Sequence, residues 1–74
     1  MNKEKQLCLA ALKSFIEDSS NENKMELIIE YDEIAEKDKA AFLGDELNAA
    51  IASIALENYH PDEFLEMLRT KFFS

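Results

Sequence analysis

One stretch constrains this chain more than any other. Residues 38–58 hold a single glycine, no proline and an apolar repeat sustained for about six helical turns. On a wheel of about 100° per residue with Leu43 at the origin, Ala40, Leu47, Ala50, Ile51, Ile54 and Ala55 fall on one side. A second apolar group, Ala41, Phe42, Ala49, Ala52 and Leu56, lies opposite. Only Lys39, Glu46, Ser53 and Glu57 remain as a narrow wet stripe. A helix apolar on nearly every side is a buried one, so the pattern predicts a central helix that other helices cover. At about 30 Å it has the length to cross a bilayer, but charge interrupts it too often for a membrane span.

The rest of the chain must supply that cover within a total of 74 residues. A chain this short forms one domain and buries only about 60% of its unfolded surface. One Gly and one Pro leave few places for the tight turns of an all-β fold, so composition favours helices. The expected architecture is all-α: a compact bundle of four helices, at about 3–18, 24–36, 38–58 and 61–73, around a buried central third helix in a single domain, 1–74.

Local signals define the other three helices. In the first, Cys8, Ala11, Leu12, Phe15 and Ile16 recur at spacings of three and four. The polar cluster of Ser19, Ser20, Asn21, Glu22 and Asn23 interrupts the pattern, because its side chains compete for backbone hydrogen bonds. Asn23 followed by Glu26 resembles a capping box that starts the second helix. Residues 25–31 also fit a strand; the stacking of Leu27, Tyr31 and Ile34 on one side and of Glu22, Glu26, Glu30 and Glu33 on another favours helix. The Leu27 stripe sits about 200° from Leu43 on a common wheel, so a break is expected near residues 36–38, with Asp38 as N-cap. Near the end, His60 and Pro61 followed by Asp62 and Glu63 mark a turn and a helix start, and Phe64, Leu65, Leu68 and Phe72 form the last apolar stripe.

Catalytic chemistry finds little support. His60 is the only histidine and adjoins a proline in a turn, where no neighbour in sequence makes it a base. Cys8 is the only cysteine and lies on an apolar stripe, as a small buried hydrophobe does. A nucleophile triad needs a positioned base and orienter, and a zinc site needs several Cys or His ligands. The acidic residues around Asp32, Asp38 and Asp45 do not follow the spacing of a calcium loop, and no glycine-rich loop is present to cradle phosphate. The expectation is a protein that is not an enzyme and holds no metal or cofactor.

Charge is more informative. Sixteen acidic against eight basic residues give a formal charge of −8, which opposes direct nucleic-acid binding and anionic membranes and attracts basic partners. Residues 1–25 carry four acids and four bases, whereas residues 26–74 carry twelve and four, so the whole imbalance lies in the last two-thirds. Glu22, Glu26, Glu30 and Glu33 form a like-charge row that weakens an isolated helix, either a solvated face or a docking site for a basic protein surface. Asp45 and Asn48 project among Ala41, Ala52 and Leu56, at the margin of the core or on an interface. Phe72 and Phe73 are adjacent and point in different directions, so one of them is a candidate exposed anchor.

The order of elements, with Leu27, Ile28, Ile29 and Glu30 in the second helix, Phe42 and Asp45 in the long one and Pro61 opening the last, resembles the small Hha-type regulators. That resemblance implies binding to a nucleoid protein. The interval between Phe42 and Pro61 is shorter than in that family and the chain more acidic, and no functional residue is carried over. The function expected is that of a small acidic protein-interaction module, a regulator, inhibitor or adaptor that binds a basic protein partner. A structural homodimer built on the central helix is one alternative; a nucleic-acid mimic or Hha-like modulator of a DNA-binding protein is another. The opening residues lead into an amphipathic rather than a continuous apolar segment, so a cytoplasmic location is expected.

Overall fold

Two helices joined by a three-residue turn form the frame on which the rest packs. In the computed structural model, which describes residues 2–73, these are α1 (Asn2–Glu17) and α2 (Asn21–Asp32). A 3-10 turn at Glu36–Asp38 leads into α3 (Lys39–Leu43), followed by α4 (Asp45–Ala55) and α5 (Pro61–Phe73). No strand occurs among the described residues, and residues 25–31 are helical.

The apolar stripe of α1 enters the core intact: Cys8, Ala11, Leu12, Phe15 and Ile16 are all buried. Full burial of a side chain the size of Leu12 or Phe15 contributes about 2–3 kcal/mol each. The turn then closes by side-chain capping. Ser19 Oγ donates to the Phe15 carbonyl at 2.9 Å, and Ser20 Oγ accepts the Asn23 N–H at 3.2 Å as the N-cap of α2. The expected cap at Asn23 is thus displaced by three residues. Asn23 instead sits in the first turn, where its Nδ2 donates to the Ser14 and Asp18 carbonyls at 3.2 and 2.8 Å and ties α2 to the end of α1.

α2 stops at Asp32, four residues before the expected end. Ile34 lies beyond the helix yet stays buried, because the chain turns inward there. No basic residue occupies the last turn of α2, although Asp32 lies at its negative end. The missing cation comes from α3. Lys39, expected on the wet stripe, is only 5% exposed; its ammonium donates to the Ile34 carbonyl at 2.7 Å and lies 4.7 Å from the centre of the Tyr31 ring, with Glu36 at 3.5 Å. Carbonyl, π face and carboxylate together compensate a cation that burial alone would strongly disfavour.

The expected single helix over 38–58 is two helices, divided at Gly44. Its φ of 87° and ψ of 153° belong to a region that essentially only glycine occupies. Its N–H still closes the last bond of α3 to the Ala40 carbonyl at 2.8 Å, and its carbonyl accepts the first bond of α4 from the Asn48 N–H at 2.9 Å. Two departures from the wheel fall within α3, ahead of that division, where Lys39 stands four residues before Leu43 and shares its face. Lys39 turns inward and Ala40 outward, while Leu47, Ala50, Ile51 and Ile54 remain in the core. The opposite side of α4 is not covered: Asp45 and Ala49 are exposed and Leu56, at the helix end, is 77% exposed.

α4 ends at Ala55 rather than 58, in a Schellman arrangement. Glu57 adopts a φ of 58°, its N–H bonds the Ile54 carbonyl at 3.1 Å, and the Asn58 N–H bonds the Ser53 carbonyl at 3.0 Å. Pro61 then opens α5 as the sequence indicates, with the Phe64 N–H on the His60 carbonyl at 3.0 Å and the Phe64 and Tyr59 rings 5.1 Å apart. Ion pairs of Lys24 with Glu57 and of Lys71 with Glu46 link α2 to the end of α4 and α5 to its start. Leu68 completes the core from α5, where Phe72 and Phe73 are both partly buried against it. Neither aromatic is the exposed anchor that their adjacency suggested.

Candidate protein-binding face

The acidic row is displayed where α2 faces away from the core. Leu27 is buried on the inner side, so Glu22, Glu26 and Glu33 are left exposed and Glu30 partly so. Among the described residues no ion pair reaches these four carboxylates. Lys24, the one cation within α2, turns instead to Glu57. The carboxyl of Glu30 is held above the ordinary carboxylate range, first by partial desolvation and then by the Glu26 carboxyl, which shares a hydrogen bond with it, and by the charge of Glu33.

The row does not stand on a purely polar surface. Met25 and Ile29, one turn apart on α2, are 56% and 54% exposed, and Leu7 of α1 is 42% exposed. They are three of the five large hydrophobic side chains that the described residues expose. A groove of about 240 Å³ runs between the antiparallel helices, lined on the α1 side by Leu7, Ala10, Ala11 and Ser14 and on the α2 side by Asn23, Glu26 and Glu30. One wall is apolar or small and the other acidic.

The other expected site residues are distributed elsewhere. Asn48 accepts a hydrogen bond from the Tyr31 hydroxyl, which places it in the contact between α2 and α4 rather than on an open interface. Asp45 is exposed in the first turn of α4 and lines a separate open cleft with Leu43, Gly44, Glu46, Leu47 and Phe72. Phe73 packs against the core. The structure therefore brings together Glu22, Glu26, Glu30 and Glu33, and places Asn48, Phe72 and Phe73 apart from them. Leu7, Met25 and Ile29 are surface residues that the sequence reading does not single out. The signal for two of them is nevertheless there, since Met25 and Ile29 are out of phase with the Leu27, Tyr31 and Ile34 stripe.

Groups that carry chemistry are few. Cys8 is fully buried and its thiol is pushed up to about 11 by that burial, with Glu30 adding to the effect and Lys39 opposing it. Among the described residues no group of three or more His, Cys, Asp or Glu side chains is placed to hold a metal ion, and no helix is long and apolar enough to cross a membrane. No protein-family model, curated protein or solved structure matches the chain, and the division at Gly44, which puts Phe42 in α3 and makes Asp45 the first residue of α4, removes the long helix on which the likeness in element order to the Hha-type regulators rested.

Proposed function

We propose that this chain is a protein-interaction module that works by binding rather than catalysis, with the outer face of α2 as its contact surface for a basic protein. The observation that carries the reading is the row of Glu22, Glu26, Glu30 and Glu33, without ion-pair partners among the described residues and interleaved with exposed Met25 and Ile29. Four like charges on one face weaken the helix that bears them, and a cationic partner reverses that cost. The flanking apolar side chains add contact area that pure electrostatics lacks.

The test compares the wild-type chain with a Glu26→Gln/Glu30→Gln/Glu33→Gln variant as bait in native lysate at low and high salt. A specific basic protein held by the wild type, released by salt and not held by the variant is the expected result. Equal capture by both baits would discard the acidic-face reading. The same partner, once identified, also tests a nucleic-acid mimic, which competes with DNA for it.

A homodimer is the second reading, favoured by Leu56 at 77% exposure beside the small residues Ala49 and Ala52 on the uncovered side of α4. Light scattering separates the two: a dimer that persists in molar salt and is lost on Leu56→Ser supports a self-interface, and a monomer leaves the α2 face available to a foreign partner.

A further inference from the structure

From the groove between α1 and α2 we infer the form of the partner: a basic amphipathic helix, its apolar side chains on Leu7 and Ala10 and its cations on Glu26 and Glu30. This inference rests on the acidic-face reading above and adds the shape and register of what binds there. The α1 wall, Leu7, Ala10, Ala11 and Ser14, presents one large side chain and three small ones, and small residues let another backbone come close. From Leu7 to Ser14 the groove runs about 10 Å, two turns of helix, which suits anchors at i, i+3 or i+4 and i+7. Beyond the Glu26 and Glu30 wall, Ile29 and Met25 form an outer apolar lip. A side chain crossing from the apolar wall to the acidic one needs an aliphatic stem and a cationic head, the chemistry of Lys and Arg.

Charge argues against the other occupants. A second copy of this chain would bring the same carboxylates to the groove with a net charge of −8, and nucleic acid or an anionic bilayer would be repelled likewise. An extended basic peptide would meet the same charges, and the scrambled peptide in the experiment below distinguishes it.

The experiment titrates the full chain, isotopically labelled for NMR, with two synthetic peptides of identical composition. One places Leu at i, i+3 and i+7 with Lys and Arg flanking; the other is a scramble that keeps the charge and loses the apolar face. The expected result is at least tenfold tighter binding of the amphipathic peptide at about 0.15 M salt, physiological ionic strength. Its shift changes centre on Leu7, Ala10, Glu26 and Glu30, and Leu7→Ser or Ile29→Ser abolishes the tenfold preference. Leu7 and Ile29 are exposed, so neither substitution should unfold the chain, and circular dichroism verifies that. Equal binding of both peptides, lost on Glu26→Gln/Glu30→Gln, would overturn the helical groove and leave the acidic-face reading standing. Shift changes centred on Leu56 or α5, or no binding by either peptide, would also overturn the groove, with the lysate comparison then deciding the acidic face separately.

Discussion

Replacing Gly44 by Ala tests the division of the central segment with a change of sign. In a continuous helix, Gly to Ala stabilises by about 0.8–1 kcal/mol, because alanine loses less backbone freedom on folding. With φ at 87° and ψ at 153° an L-residue is strained instead, at about 1–3 kcal/mol. No atom lies within 4 Å of an added Cβ, so sterics between side chains contribute nothing and the whole effect is conformational. For a domain of this size each kcal/mol moves the midpoint by about 4–8 °C, so Gly44→Ala lowers Tm by roughly 4–24 °C. Thermal and urea unfolding followed by far-UV circular dichroism measure this, with helical signal before the transition unchanged. A raised midpoint together with a gain in helical signal would show α3 and α4 to be one helix and would refute the division at Gly44.

Three further outcomes are expected. Ser20→Ala removes the oxygen that accepts the Asn23 N–H and lowers stability by about 1 kcal/mol in chemical denaturation, whereas a cap at Asn23 would leave Ser20 with little effect. Lys39→Met keeps the stem and removes the donor to the Ile34 carbonyl, costing about 1–3 kcal/mol for the buried acceptor left unpaired, and a neutral result in urea titration would show that water replaces the ammonium. Glu30 binds protons more tightly folded than unfolded, so its contribution is fully present below the unfolded carboxyl pKa and is lost as pH rises through the folded one. Glu30→Gln therefore raises stability at neutral pH and removes that fall from the pH profile; unchanged stability at both ends would show the row to be electrostatically relaxed.

The parts of the fold that were legible in the sequence rest on signals local to one element. The α1 stripe from Cys8 to Ile16 repeats at three and four without interruption, and Pro61 with Asp62 and Glu63 marks the start of α5 within three residues. The break at Gly44 was hidden because Leu43 and Leu47 are four apart and both face the core, so the apolar repeat continues across a change of axis. A start signal was nevertheless present, since Gly is accepted at an N-cap and Asp45 and Glu46 follow in the first turn. The burial of Lys39 has a different cause: it stands four residues before Leu43 within α3 and shares that residue's inner face, a phase that its charge outweighs when the sequence alone is read. The glutamate row was legible because i, i+3 and i+4 neighbours share a face on any helix. The groove beside it was not, because it depends on how α1 and α2 sit against each other, which Asn23 fixes through the Ser14 and Asp18 carbonyls.

A net charge of −8 does not by itself single out any surface, and the arrangement of the cations is what gives it a location. Lys24 is directed to Glu57, Lys71 to Glu46 and Arg69 to Glu66, while Lys39 is buried at the end of α2. The three exposed pairs add little to stability, as such pairs generally do. Their effect on the field is larger, because each neutralises a carboxylate away from the row and leaves Glu22, Glu26, Glu30 and Glu33 as a stretch about three turns long that no ion pair reaches among the described residues. The spacing within α2 enforces this. The residues three and four positions from Lys24 are Ser20, Asn21, Leu27 and Ile28, none of them acidic, so its own helix offers the ammonium no carboxylate on a shared face. Glu57 of the α4 terminus takes it instead, and the charge of the row is left for a partner to meet.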